Sequence, residues 1–110
     1  MINSQTIAQT QFQDAEHLWF WFISSRRLQN GLNRGGGDTR SCELIDIETL
    51  VTQMYLSGRL SVRQLETLKK YGDLRRAPNQ HVWAENKDAQ LWASAMGAIA
   101  AAARRKGWVE

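Results

Sequence analysis

The sequence predicts an all-α fold, a small bundle of about four helices that contains a helix-turn-helix. Three observations point there. Apolar residues recur at spacings of three and four through the central and C-terminal segments. Cap and stop residues bracket those segments, the clearest being Ser61-Val62-Arg63-Gln64 at a start and Gly107 at an end. No stretch shows the apolar–polar alternation of a half-buried strand.

Residues 1–12 are polar, uncharged and without period, and read as a flexible lead-in that orders only at Phe12. Asp14 or Gln13 opens the first helix, with Glu16 in its first turn where the helix dipole favours an anion. This helix runs through Leu18-Trp19-Phe20-Trp21-Phe22-Ile23, past Arg26 and Arg27, to a stop at Asn30-Gly31. Six consecutive large apolar residues cover every side of a helix. Such a segment lies at the centre of a core or offers a face to a partner, and Trp19 or Trp21 is expected at the edge.

Residues 31–45 hold Gly31, Gly35, Gly36 and Gly37, and read as a mobile glycine-rich loop. Asp46 is then expected to cap a helix over 47–56, with Ile47, Leu50, Val51, Met54 and Tyr55 as its periodic set. Ser57-Gly58 ends it. Ser61 and Gln64 form a capping box for the next helix, over 62–71, which Gly72 is expected to stop. A last helix starts between Asn79 and Asp88, buries Leu91, Trp92, Ala95, Met96, Ile99 and Ala103, and ends at Arg104-Arg105-Lys106 before Gly107. Trp108 is placed for the hydrophobic contact of a C-terminal cap. After a flexible segment at 1–12, residues 13–110 therefore read as one helical domain.

Composition narrows the functional classes. The chain has 110 residues, 43% hydrophobic and 23% charged, with a formal net charge of +3. That suits a globular fold of one domain rather than a disordered chain. One cysteine, Cys42, excludes an internal disulfide framework and a cysteine-based zinc site. The longest apolar runs are Leu18–Ile23 and Ala98–Ala103, far short of the ~20 residues a membrane span requires. No secretory signal is visible at the N-terminus, so a cytoplasmic protein is the expectation.

Catalytic chemistry has little behind it. Cys42, His17 and His81 show no spacing that couples a nucleophile to a base or builds a metal site. His17 reads as a half-exposed helical residue and His81 as a surface or capping one. Arg34-Gly35-Gly36-Gly37 lacks the glycine spacings that cradle phosphates and follows no expected strand, so it reads as linker. No enzyme, no cofactor and no metal are expected.

Nucleic-acid binding has a stronger basis. Arg59, Arg63, Lys69, Lys70, Arg75 and Arg76 are opposed in residues 59–76 only by Glu66 and Asp73. Residues 1–58, by contrast, carry four basic against six acidic side chains. With Val62, Leu65 and Leu68 facing inward, Arg63, Gln64, Thr67 and Lys70 would face out. Arginine and glutamine suit bidentate reading of guanine and adenine. Arg59, Lys69, Arg75 and Arg76 are then the expected phosphate contacts. Gln64 cannot fully serve as both cap and base reader, and capping is favoured. Trp83, Trp92 and Trp108 lie on or beside the last helix, where packing explains them better than base stacking.

The combination of Trp19-Phe20-Trp21, Asp46-Ile47 with Leu50, Tyr55-Leu56-Ser57-Gly58-Arg59-Leu60-Ser61, Leu68 with Tyr71-Gly72, and Lys106-Gly107-Trp108-Val109 resembles a small bacterial helical protein family of uncharacterised function. The resemblance covers the chain from about residue 17 onward and brings no known catalytic residues. The central part is also similar to the helix-turn-helix regions of bacterial and phage transcription regulators, including late antiterminators. Together these readings give the expected function: a small, non-enzymatic DNA-binding regulator of transcription, with helix 62–71 as recognition element. DNA is the expected partner, no membrane is, and a homodimer is open. The alternative is an adaptor that binds a larger partner, such as part of the transcription machinery, through the aromatic helix 14–30 or the basic surface.

Overall fold

The computed structural model describes residues 11–31 and 42–110. Within them lie four α-helices: α1 (Ala15–Gly31), α2 (Leu44–Leu56), α3 (Val62–Leu74) and α4 (Asn86–Arg105). A single 3-10 turn, Trp83–Glu85, leads into α4. Among the described residues there is no β-strand, only an isolated parallel bridge between Phe12 and Val109. The lead-in of residues 1–10 and most of the glycine-rich loop, residues 32–41, lie outside the described residues.

The helix starts follow from local chemistry. Asp14 Oδ1 accepts the amide of His17 at 2.8 Å, satisfying one of the donors left unpaired at the start of α1. α2 begins earlier than Asp46 would have set it. Glu43 is its N-cap, and Asp46, three residues on, accepts the Glu43 amide at 2.8 Å. At α3 the expected capping box is present: Ser61 Oγ accepts the Gln64 amide at 3.1 Å, and Gln64 Oε1 accepts the Ser61 amide at 2.8 Å.

Three helices end in the same way. After α2, the Arg59 amide reaches Met54 O at 2.8 Å around Gly58, whose φ is 84°. After α4, the Trp108 amide reaches Ala103 O at 3.0 Å around Gly107, with φ 77°. After α3, the Arg76 amide reaches Tyr71 O at 3.3 Å, and here an arginine, Arg75, holds the left-handed position with φ 61°. These are Schellman caps, which satisfy the last carbonyls of each helix. Gly72 does not stop α3, which continues to Leu74.

Gly72 has a different task. A β-carbon there would lie 2.9 Å from Ile23 Cγ1 and 3.0 Å from Trp19 Nε1, so only glycine admits α1 this close. The Trp19 indole donates to Leu68 O at 2.9 Å, one turn before Gly72. The core is built outward from that contact. Leu18, Trp19 and Phe22 of α1 are buried together with Leu68 and Tyr71 of α3 and Trp92, Ala95 and Ile99 of α4. Phe20 stacks on Trp92 at 5.6 Å between ring centres, and the Trp92 indole donates to Glu16 Oε2 at 2.7 Å. Phe12 is fully buried; its amide donates to Trp108 O at 2.9 Å and its carbonyl accepts from Glu110 at 3.1 Å. The start of the described chain is thus clasped to its end.

α4 packs chiefly on α3 and then on α1, while α2 rests mainly against α1. α2 and α3 are consecutive and joined by a short turn, yet they have little contact with each other. A DNA-reading helix-turn-helix depends on its two helices holding one another at a fixed angle. Here α3 is positioned by α1 and α4 instead. No helix among the described residues is long and apolar enough to cross a membrane.

Candidate nucleic-acid interface

At 100° per residue, the solvent face of α3 carries Val62, Arg63, Glu66, Lys69, Lys70, Asp73 and Leu74. Two of the sequence-derived contacts are absent from it. Thr67 is only 5% exposed, and its hydroxyl donates to Arg63 O at 2.8 Å. A threonine with its hydroxyl satisfied by the preceding turn packs inward as readily as valine, which removes it from any base-reading set. Gln64 is also spent. Besides its cap bond, its Nε2 donates to Ser94 Oγ of α4 at 2.8 Å. Val62, expected to face inward, is 52% exposed, while Leu60, just before the cap, is buried.

Three of the cations are held by carboxylates. Lys69 pairs with Asp73 one turn on at 3.2 Å, and Lys70 pairs with Asp88 of α4 at 3.2 Å. Asp88 is an anchor: it also accepts the Tyr71 hydroxyl at 2.8 Å. That bond, with the neighbouring Lys70 ammonium, pulls the Asp88 carboxyl below its ordinary range. Hydrogen bonding to Asp88 in turn holds the Lys70 ammonium above its usual value. Arg76 makes a bidentate pair with Glu85, at 2.9 and 2.8 Å, and lies over the Tyr71 ring. The Glu85 carboxyl is lowered to about 2, first by the Arg76 guanidinium and then by the Asn79 amide, which it accepts at 2.8 Å.

What remains is Arg59, Arg63 and Arg75. All three are exposed, and none has a carboxylate within ion-pair distance among the described residues. They mark the turn before α3, its first turn and the residue after its end, so they are spread over the length of a helix of about 20 Å. Arg63 and Lys70 also line a shallow groove of about 190 Å³ against α4, shared with Glu66 and Asp88. Two carboxylates in that groove oppose a phosphate there, so the accessible positive charge sits on its rim and at the helix ends.

The described large side chains of the aromatic helix face the core wholly or in part. Trp19 and Phe22 are buried, and Phe20, Trp21 and Ile23 are partly buried against the core. The exposed tryptophan is Trp83, at 93%, where packing had been the favoured reading. A signal for this is present in the sequence: the residues three and four away from it are Asn79, Gln80, Asn86 and Lys87, all polar, so no helical stripe includes it.

Cys42 is buried, whereas His17 and His81 are exposed; His17 Nδ1 accepts the Gln13 amide at 3.3 Å. Among the described residues, no three His, Cys, Asp or Glu side chains gather as a metal site. No protein-family model matches this chain, and neither does any curated protein or solved structure.

Proposed function

We propose that this protein binds nucleic acid without catalysing a reaction, gripping the phosphate backbone through Arg59, Arg63 and Arg75. The observation that carries this reading is that these three guanidiniums are exposed and have no carboxylate partner among the described residues, while every other cation of the α3 region has one. Lys69 supplements them, since its side chain is 79% exposed and its pair with Asp73 is the weak surface kind that a phosphate displaces. Base reading by α3 is a smaller part of this proposal than the sequence suggests. Of Arg63, Gln64, Thr67 and Lys70, only Arg63 keeps an exposed end group with no partner among the described residues. The interface thus favours phosphate contacts over base contacts, and a role in transcription would depend on affinity for the backbone more than on a sequence code. Replacing Arg59, Arg63 and Arg75 together by alanine is expected to weaken binding of labelled nucleic acid on the order of ten-fold or more at low salt. Unchanged affinity in that variant rejects the interface.

One observation favours the adaptor reading at a different place from the aromatic helix. Ile45, Thr49, Thr52 and Leu56 form one outer stripe of α2, all exposed, with Leu56 at 75%. α2 contains no basic residue. An uncharged stripe of this kind suits a protein partner and not a phosphate backbone. Leu56→Asp is expected to leave nucleic-acid affinity unchanged, and would disrupt a complex formed through α2.

A further inference from the structure

We propose that Trp83 is a stacking platform for an unpaired nucleobase, so that the nucleic acid bound is single-stranded where it meets this turn. The inference rests on the nucleic-acid reading above and adds the form of ligand and a second contact region.

Trp83 stands on a turn whose shape is fixed from several directions. Glu85 is clamped by Arg76 and accepts the Asn79 amide. Asn79 Oδ1 accepts the His81 amide at 2.9 Å, and the Val82 amide reaches Asn79 O at 3.1 Å. Asn86 Nδ2 closes the ring by donating to Gln80 O at 2.9 Å. Through Arg76, which follows the cap of α3, the turn is tied to the helix whose two ends carry the proposed phosphate contacts. An indole left 93% exposed on so constrained a base contributes nothing to the core. It keeps a large flat surface in water at a cost of unburied apolar area.

The surroundings select among ligands. Trp83 borders an open depression of about 510 Å³, whose other walls are Gln80, His81, Ala84, Asn86 and Lys87. Apart from Ala84 these are polar, one is a cation, and none is a carboxylate. A tryptophan that anchors a protein interface is ordinarily ringed by further apolar side chains that exclude water. Here the indole is ringed by hydrogen-bonding groups and an ammonium. That combination fits a flat heteroaromatic ring with polar edges and an attached phosphate: the base stacks on the indole, its edge meets Gln80 or His81, and Lys87 takes the phosphate. Inside a duplex both faces of a base are already stacked, so away from a duplex end only an unpaired base can lie on Trp83.

The test uses the full-length chain and two fluorescein-labelled probes, a short oligothymidylate and a duplex of the same length. Anisotropy is measured for wild type, Trp83→Ala, Trp83→Phe, Lys87→Gln and the triple arginine variant. Trp83 is almost fully exposed, so its replacement is expected to leave the fold and the melting temperature unchanged. Trp83→Ala is expected to lose about ten-fold in affinity for oligothymidylate, with duplex affinity unchanged. Trp83→Phe keeps most of the binding, and Lys87→Gln loses a smaller part. Equal oligothymidylate binding by wild type and Trp83→Ala overturns the platform. If the triple arginine variant is still weakened in that case, the broader nucleic-acid reading survives. Failure of wild type to bind either probe at low salt overturns both.

Discussion

Arg75 occupies a backbone conformation that L-residues with a β-carbon enter at a cost. At φ 61° it does for α3 what Gly58 and Gly107 do for α2 and α4. The strain is offset by the two cap hydrogen bonds it permits, from Arg75 to Gly72 O at 3.2 Å and from Arg76 to Tyr71 O at 3.3 Å. Arg75→Gly is therefore expected to stabilise the protein by about 1 kcal/mol, measured by urea unfolding, while weakening nucleic-acid binding. Gly72 gives the opposite case. Alanine is the better helix former, but its methyl would press on Ile23 and Trp19, so Gly72→Ala is expected to destabilise by roughly 1–3 kcal/mol. In sequence the two positions mislead together. A glycine near the end of an amphipathic segment reads as a stop, and an arginine does not; only the closeness of α1 reveals why Gly72 lies inside the helix. Thr67 and Val62 mislead by the same kind of ambiguity, since a threonine whose hydroxyl bonds to its own helix is as buriable as a valine.

Among the elements, the α3 capping box and the apolar stripes were legible because their causes are local, whereas the α2 box, with Glu43 as N-cap and Asp46 at its third position, was read as a cap by Asp46 alone. Ser61 and Gln64 are three residues apart, and the α4 stripe of Trp92, Ala95, Met96 and Ile99 repeats at the helix period. The relation of α2 to α3 was not legible. Two amphipathic helices with a short turn between them are compatible with many packings, and here long-range contacts with α1 and α4 decide. Nor could the turn before α4 be read, because its organisation depends on Glu85 meeting Arg76 nine residues earlier. That pair has a pH signature. Glu85 has a folded pKa depressed to about 2, so its contribution is present above the ordinary glutamate range and is lost as the pH falls toward 2. Asp88, also lowered, loses its hold on Tyr71 and Lys70 in the same direction. Acidification is expected to loosen the 79–88 segment ahead of the α1–α3 core, seen as early loss of amide protection at Asn79. Glu85→Gln is expected to remove most of the early acid transition. Simultaneous loss of protection in both regions would contradict this order.

At the scale of the molecule, the charge left without a carboxylate partner among the described residues differs from the charge counted in the sequence. The six cations of residues 59–76 suggest a dense basic helix, yet carboxylates from α3, the 3-10 turn and α4 take up three of them. The arginines without a carboxylate partner among the described residues lie at the two ends of α3, and an exposed indole stands on the turn that follows it in the chain. An all-helical chain was legible from periodicity. Which cations are paired was not, because ion pairing between distant segments is set by the fold. The most direct measurement is the salt dependence of oligothymidylate binding, followed by anisotropy from low to physiological ionic strength. Contacts from Arg59, Arg63 and Arg75, with one lysine, predict a log–log slope of roughly −2 to −3 for a single strand. The triple arginine variant is expected to flatten it to about −1. A wild-type slope near zero, or one that the triple substitution leaves unchanged, would contradict a phosphate-gripping surface on α3.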